Sequence, residues 1–96
     1  MFMTEIFSDE DTAKLFQLVH MFQRSALLHM GLLPDQEGNM MFNLGEAKAA
    51  IDLLRMIQGK TKGNLSDHEE RMLKGIVSEL QLQFLKAPSR RREMES

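Results

Sequence analysis

A polar segment bounded by glycine, GKTKGNLS at residues 59–66, separates two stretches that carry apolar residues at helical spacing. Glycine commonly ends helices and serine commonly begins them, so this segment predicts a joint between two helices. The chain of 96 residues has enough apolar side chains for one small core. We therefore expect a single all-α domain, either a small three-helix bundle or a helical hairpin plus a third helix.

Helix-start and helix-stop residues predict three helices, at about residues 8–30, 44–58 and 66–86. The first is expected to begin at Ser8, whose hydroxyl can accept hydrogen bonds from free backbone N–H groups, and to end at Gly31. Residues 1–7 are then predicted to form an N-terminal arm. The connection to the second helix contains turn-forming residues and the apolar patch Met40–Phe42, and we expect it to be irregular.

The second and third helices both have signals for N-terminal caps. Asn43 precedes the second helix, and Ser66 with Glu69 three residues later forms the strongest capping box in the chain. Pro88 is predicted to end the third helix because proline has no N–H group to donate. Residues 88–96 lack helical periodicity, so we expect the helical domain to end at residue 87 and a disordered tail to follow.

Each predicted helix has an apolar stripe that is expected to face the core. The stripes contain Leu15, Leu18, Val19, Phe22, Ala26 and Met30 in the first helix, Ala47, Ala50, Ile51, Leu54 and Ile57 in the second, and Leu73, Ile76, Val77, Leu80 and Phe84 in the third. These residues recur every three or four positions, as one face of a helix requires.

Further apolar residues lie outside these stripes and indicate a second buried surface. They are Phe16, Met21, Leu27, Leu28, Leu82 and Leu85. Because burying one leucine side chain is worth about 1.5–3 kcal/mol, we predict that they form an interface through which the protein self-associates into a larger bundle. The alternative is that the N-terminal arm and the Met40–Phe42 patch fold back over them.

The helix and joint in the middle of the chain resemble a known family. Glu46–Ile57 (EAKAAIDLLRMI), Lys60–Leu65 (KTKGNL) and the upstream Ala26–Gly31 (ALLHMG) are similar to a bacterial family known only as domain of unknown function 1844. The resemblance covers about residues 26–85. It implies an all-helical cytoplasmic protein and supplies no activity, cofactor or catalytic residue. The turn at Asp35–Gly38 is shorter than the family's usual one.

Composition excludes several classes of protein. The chain has no cysteine, which excludes disulfides, thiol catalysis and cysteine-zinc sites. Its net charge of -2 gives no general reason to bind nucleic acid or an anionic membrane. No stretch approaches the run of about 20 apolar residues that spans a bilayer, and the first residues lack a secretory signal. We expect a cytosolic protein that does not bind membranes.

No group of residues predicts catalysis, a cofactor or a metal site, so we expect a protein that is not an enzyme. His29 lies at the edge of a core stripe, and no two histidines have the i, i+4 spacing of a helical metal site. We expect His29 to bond a nearby carbonyl or carboxylate. Asp52 lies in mid-helix and is expected to pair with Lys48 or Arg55, or else to bond the joint or a partner chain.

The sequence thus predicts a non-catalytic interaction or assembly module that homo-oligomerises and also has an unidentified protein partner. Its proposed polar determinants are Asp52, Lys60, Lys62 and Asn64, and the joint itself is either a structural turn, which we favour, or an anion site. The alternative function is a nucleic-acid- or ribosome-associated accessory protein that uses the Lys60–Asn64 joint and the Arg90–Arg92 tail. Acidic residues beside the arginines and the lack of interleaved aromatic residues disfavour it.

Overall fold

The computed structural model describes the backbone of residues 2–95 and the side chains of residues 10–95. This part of the chain forms three helices, α1 (Phe2–His29), α2 (Leu44–Lys60) and α3 (Asp67–Glu95). It contains no strand, and its single β-bridge pairs Met30 with Phe42 at the two ends of the first connection. The predicted all-α fold of three helices is confirmed.

The helix directions follow from contacts at the two ends of the bundle. Thr12 in α1 donates a hydrogen bond to Glu69 in the first turn of α3. Arg90, near the end of α3, donates to the carbonyl of Met30, just past the end of α1. α1 and α3 are therefore parallel, and α2 runs antiparallel to both. α2 packs against both neighbours and more extensively against α1.

All three helices contribute to one hydrophobic core. Its most buried members are Val19, Ala26 and Met30 from α1 and its end, Ala47 and Leu54 from α2, and Leu73, Leu80 and Ala87 from α3. The alanines let the helix backbones approach closely. These residues are the centres of the predicted stripes, with the exception of Ala87, which lies beyond the predicted third helix.

The core stripe of α1 is rotated from the predicted one. Phe16, predicted to lie outside the core, is only 7% exposed, whereas Leu18, predicted to be buried, is 41% exposed. At 100° per residue, Leu18 lies about 100° from Val19, while Phe16 lies about 60° from it on the other flank. The flank with Phe16 is the one that faces α3, because Thr12 lies on the same side and bonds Glu69. Both predictions are wrong because they ignored α3.

The start of α1 also differs from the prediction. The helix begins at Phe2 rather than at Ser8. Residues 2–7 contain no glycine or proline that would stop a helix, so they continue α1 instead of forming a separate arm. As a continuation of α1, they do not fold back over the bundle.

The predicted end of α1 at Gly31 is confirmed. Gly31 has φ 73°, in the left-handed region, where glycine avoids the strain that a side chain would cause. Its N–H donates to the Leu28 carbonyl (3.2 Å), and the Leu32 N–H donates to the Leu27 carbonyl (2.9 Å). This pair of bonds is the Schellman motif, which satisfies the last carbonyls of a helix. The ring of Phe42 packs directly on Gly31, so this patch residue covers the end of α1 rather than its outer flanks.

The predicted helix end at Pro88 is wrong, because α3 continues through the proline to Glu95. The predicted disordered tail is therefore also wrong for residues 88–95. Pro88 deprives the Phe84 carbonyl of its helical partner. The Arg90 guanidinium offsets this loss by bonding the Gln83 carbonyl and the Met30 carbonyl, both at 3.3 Å. With Ala87 fully buried beside it, this contact fixes the last turns of α3 to the end of α1.

Candidate interaction surfaces

The joint between α2 and α3 is a structured turn. α2 extends past Gly59 to Lys60, and the Thr61 hydroxyl then donates to the Ile57 carbonyl (2.7 Å). The Asn64 N–H donates to the Thr61 carbonyl (2.9 Å), and Gly63 supplies the left-handed φ of 88° that reverses the chain. The backbone groups of the joint are therefore largely used in its own fold.

Glu69 fastens this joint to α1. Its backbone N–H donates to the Ser66 hydroxyl (3.2 Å), and its Oε1 accepts from the Ser66 N–H (2.8 Å), so the predicted capping box is confirmed. Its Oε2 accepts from the Thr12 hydroxyl, a contact that the sequence did not predict. The hydrogen bond from Thr12, followed by those from Ser66, lowers the pKa of Glu69 below its ordinary value of 4.5. A buried carboxylate, 8% exposed, thus joins three parts of the chain.

Four large apolar side chains are exposed on the two helices that pair most closely. They are Leu18 and Met21 of α1 and Leu53 and Met56 of α2. Within each helix the two residues are three positions apart, so they lie on one side of it. We call this set of four residues the α1–α2 face.

The two pairs lie at the same height in the bundle. The Asn43 N–H bonds the His29 carbonyl (2.8 Å), which fixes the register of the antiparallel α1 and α2. Because both helices rise 1.5 Å per residue, α2 residues 53 and 56 stand opposite α1 residues near 19 and 16. Both pairs also lie away from α3. On α1, Thr12 marks the side that faces α3, and Met21 lies about 180° around the helix from it. On α2, Ile51 borders α3, and Leu53 lies about 160° around the helix from it.

A groove of about 420 Å³ lies on another side of the bundle, between α2 and α3. Its lining residues are Lys48, Ile51, Asp52, Arg55, Gln81, Phe84 and Leu85. Leu85 is 77% exposed at its rim. Asp52 forms an ion pair with Lys48 at 2.8 Å, as the sequence predicted, and does not contact the joint. This groove is therefore partly apolar with a mixed-charge rim.

The structure does not bring the six predicted interface residues together. Phe16 is in the core, Leu27 packs against the core, and Leu28 is partly buried beside the first connection. Met21 is exposed on the α1–α2 face, whereas Leu82 and Leu85 are exposed on α3. Sequence reasoning missed Leu18, Leu53 and Met56. Their i, i+3 spacing was visible, but only the register of α1 and α2 places the pairs side by side.

The two basic segments of the alternative function lie at opposite ends of α3, about 35 Å apart at 1.5 Å per residue. Arg90 is bonded to the end of α1, Arg91 pairs with Glu95 at 3.1 Å, and Arg92 bonds Ser89. The structure therefore does not unite the lysine joint and the arginines in one surface.

Two of the three histidines have local hydrogen-bond partners. His29 Nδ1 lies 2.7 Å from the Ser25 carbonyl, so the predicted bond to a nearby carbonyl is confirmed, and His20 bonds Gln23 at 2.8 Å. Among the side chains of residues 10–95, no cluster of three or more His, Asp or Glu is arranged to hold a metal ion. In the same part of the chain, no helix is both long and apolar enough to cross a bilayer.

Most of α1 and α3, all of α2, the joint and the capping network lie within a segment that matches a known family. Residues 12–86 match the family described as domain of unknown function, DUF1844. The chain belongs to this family. The match covers the core residues of all three helices except Ala87 and confirms the resemblance seen in the sequence. No curated protein and no solved structure matches this DUF1844 chain.

Proposed function

We propose that this DUF1844 protein is a non-catalytic interaction module that self-associates through the α1–α2 face. The observation that carries the proposal is the exposure of four large apolar side chains at one height of the bundle: 41% for Leu18, 62% for Met21, 40% for Leu53 and 49% for Met56. Exposed apolar patches on small proteins commonly mark binding surfaces.

The surface area of the chain supports this proposal. Its accessible surface is 6874 Å², whereas a monomer of 11.1 kDa is expected to expose about 5,700 Å². A standard protein interface buries about 800 Å² of each partner, which is less than the excess of about 1,200 Å². The ends of α1 and α3 account for part of the excess, because the molecule is elongated, with a radius of gyration of 15.6 Å against about 12.5 Å expected.

A twofold dimer is the assembly that uses one such face most simply. In an isologous dimer the same patch of each copy contacts its counterpart, so no second surface is required. Here α1 and α2 of one copy pack against α1 and α2 of the other as two layers of helices. The two layers bury the four apolar side chains of each copy.

The expected dimer is weak. Full burial of one such side chain is worth about 1.5–3 kcal/mol, so eight that are roughly half exposed contribute about 8 kcal/mol. Association costs at least about 4 kcal/mol in lost translational and rotational freedom. We therefore expect a dimer that dissociates on dilution rather than an obligate one.

Paired variants test this proposal by absolute mass, measured by light scattering after size exclusion over a range of concentrations. Wild-type protein is expected to approach the mass of a dimer as concentration rises. The double variant Met21→Glu/Leu53→Glu is expected to stay monomeric with unchanged helical content by circular dichroism. The matched control Met94→Glu changes a methionine that is 56% exposed in the last turn of α3 and should dimerise like wild type.

Two results would contradict the proposal. One is a wild-type protein that stays monomeric at every concentration. The other is a double variant that keeps the wild-type mass, because the assembly would then use a different surface. The cytosolic location and a further protein partner remain predictions from the sequence.

A further inference from the structure

A basic depression of about 410 Å³ lies between the end of α2 and the start of α3. Its lining residues are Arg55, Gln58, Gly59, Lys62, Leu65, Glu70, Leu73 and Lys74. The three cations come from three different elements, since Arg55 is on α2, Lys62 is in the joint and Lys74 is on α3. Three cations and the single carboxylate of Glu70 leave a local net charge of +2 in a chain whose net charge is -2.

Among the side chains that the structure describes, the three cations have no hydrogen-bond or ion-pair partner. The ion pairs among the described residues are Lys48 with Asp52 and Arg91 with Glu95, and neither involves a cation of this depression. The side chains of Arg55, Lys62 and Lys74 also take part in no hydrogen bond within residues 10–95. Like charges that converge without partners repel one another, and a bound anion removes that repulsion.

The chemistry of the lining indicates the kind of anion. A phosphoryl group offers up to two negative charges and three acceptor oxygens, and a guanidinium can bond two of these at once. The Gln58 amide supplies a neutral donor at the same edge, whereas the partly buried Leu65 supplies apolar surface. The volume lies within the range of about 300–1,000 Å³ that is typical of small-molecule sites and exceeds what a phosphate ion alone requires.

We propose that this depression binds the phosphoryl group of a small phosphorylated molecule whose apolar portion packs on Leu65. Arg55 on α2 and Lys74 on α3 bind the phosphoryl oxygens, and Lys62 in the joint binds them as well. The site differs from the anion site considered in the sequence, since Lys60 and Asn64 do not line it. It borders α3, whereas the α1–α2 face lies away from α3, so self-association and ligand binding can be tested separately.

Titration of the full-length protein, followed by amide NMR shifts at low salt and neutral pH, tests the proposal. The probes are inorganic phosphate, adenosine monophosphate and adenosine. Adenosine monophosphate is expected to give saturable shifts at residues around the depression and to bind more tightly than phosphate, whereas adenosine is expected to give none. Added salt should weaken the binding because the site is solvent-exposed.

Substitutions identify the residues that bind. Arg55→Gln and Lys74→Gln should each weaken adenosine monophosphate binding about tenfold, the effect of losing one charge-assisted hydrogen bond. Lys86→Gln, which removes the same charge from an exposed position of α3 outside the depression, should leave the affinity unchanged. All three positions are exposed, and circular dichroism checks that the variants stay folded.

Several results would overturn the proposal. One is the absence of saturable shifts with phosphate and adenosine monophosphate. Another is an affinity of Arg55→Gln and Lys74→Gln equal to that of Lys86→Gln. Equal binding of adenosine and its monophosphate would also overturn it, because the phosphoryl group would then contribute nothing.

Discussion

The contact between Thr12 and Glu69 gives the sharpest test of how α1 is held to the joint. Both carboxylate oxygens of Glu69 accept hydrogen bonds, one from the Ser66 N–H at 2.8 Å and one from the Thr12 hydroxyl. The perturbation is a double-mutant cycle of Thr12→Val and Glu69→Gln. Each substitution keeps the approximate shape of the side chain, so the cycle isolates the hydrogen bond rather than packing.

The magnitude follows from the kind of hydrogen bond. A bond to a charged group contributes about 1.5–3 kcal/mol, so Thr12→Val is expected to lower the free energy of unfolding by about 1.5 kcal/mol. Glu69→Gln weakens the bonds to both Thr12 and Ser66 and should cost about 2 kcal/mol. The coupling between the two changes should be about 1 kcal/mol, because both act on the hydrogen bond between Thr12 and Glu69. For a domain of this size, 1.5 kcal/mol corresponds to a Tm lower by about 6–12 °C.

Urea denaturation followed by circular dichroism, at one fixed protein concentration, measures these free energies. Glu70→Gln is the matched control. It removes an exposed acid from the same helical turn and should cost less than about 1 kcal/mol, through the helix dipole alone.

The contribution of Glu69 to stability depends on pH, and the sign of this dependence is defined. The pKa of Glu69 is lower in the folded than in the unfolded chain, so its contribution to stability is fully present above about pH 4.5 and is lost as pH falls through the folded value. The stability difference between wild type and Thr12→Val should therefore shrink in acid. Additivity of the two substitutions within about 0.3 kcal/mol, or a difference that does not shrink at any acidic pH at which the protein stays folded, would refute the reasoning.

Two further predictions concern helix ends. Gly31→Ala should lower the free energy of unfolding by about 2–5 kcal/mol in urea denaturation, because the new Cβ meets the ring of Phe42 and the φ of residue 31 is 73°. The control Gly38→Ala, at φ 84° in open space, should lower it by only about 1–2 kcal/mol, and equal losses would contradict the packing argument. Pro88→Ala should raise the free energy of unfolding by about 1 kcal/mol or more, since the Phe84 carbonyl regains its helical hydrogen bond. A variant that is less stable than wild type would show that the proline fits into α3 without cost.

The sequence predicted those features that depend on neighbouring residues. The Asn43 cap, with its 3.1 Å bond from the Glu46 N–H, the Ser66–Glu69 capping box and the stop at Gly31 are all local, and all three are confirmed. Local signals failed where a distant contact decides the outcome. α3 continues through Pro88 because the following turn is bonded to the end of α1, which no local pattern reveals.

The surfaces were harder to predict than the helices. α1 is apolar on several sides, so periodicity alone could not decide between Phe16 and Leu18 as core residues. The α1–α2 face depends on the register of two antiparallel helices, and the basic depression joins residues that lie up to 19 positions apart, from Arg55 to Lys74. Both surfaces exist only once the helices are packed.

Site-specific cross-linking tests the central claim, self-association through the α1–α2 face, most directly. The chain has no cysteine, so Leu53→Cys and the control Met94→Cys each introduce a single thiol, on and off this face. With a short bis-maleimide, we predict that Leu53→Cys forms a covalent dimer at concentrations where the wild-type mass is dimeric, and that Met94→Cys forms far less. Equal cross-linking of the two variants, or none with either, would contradict the account.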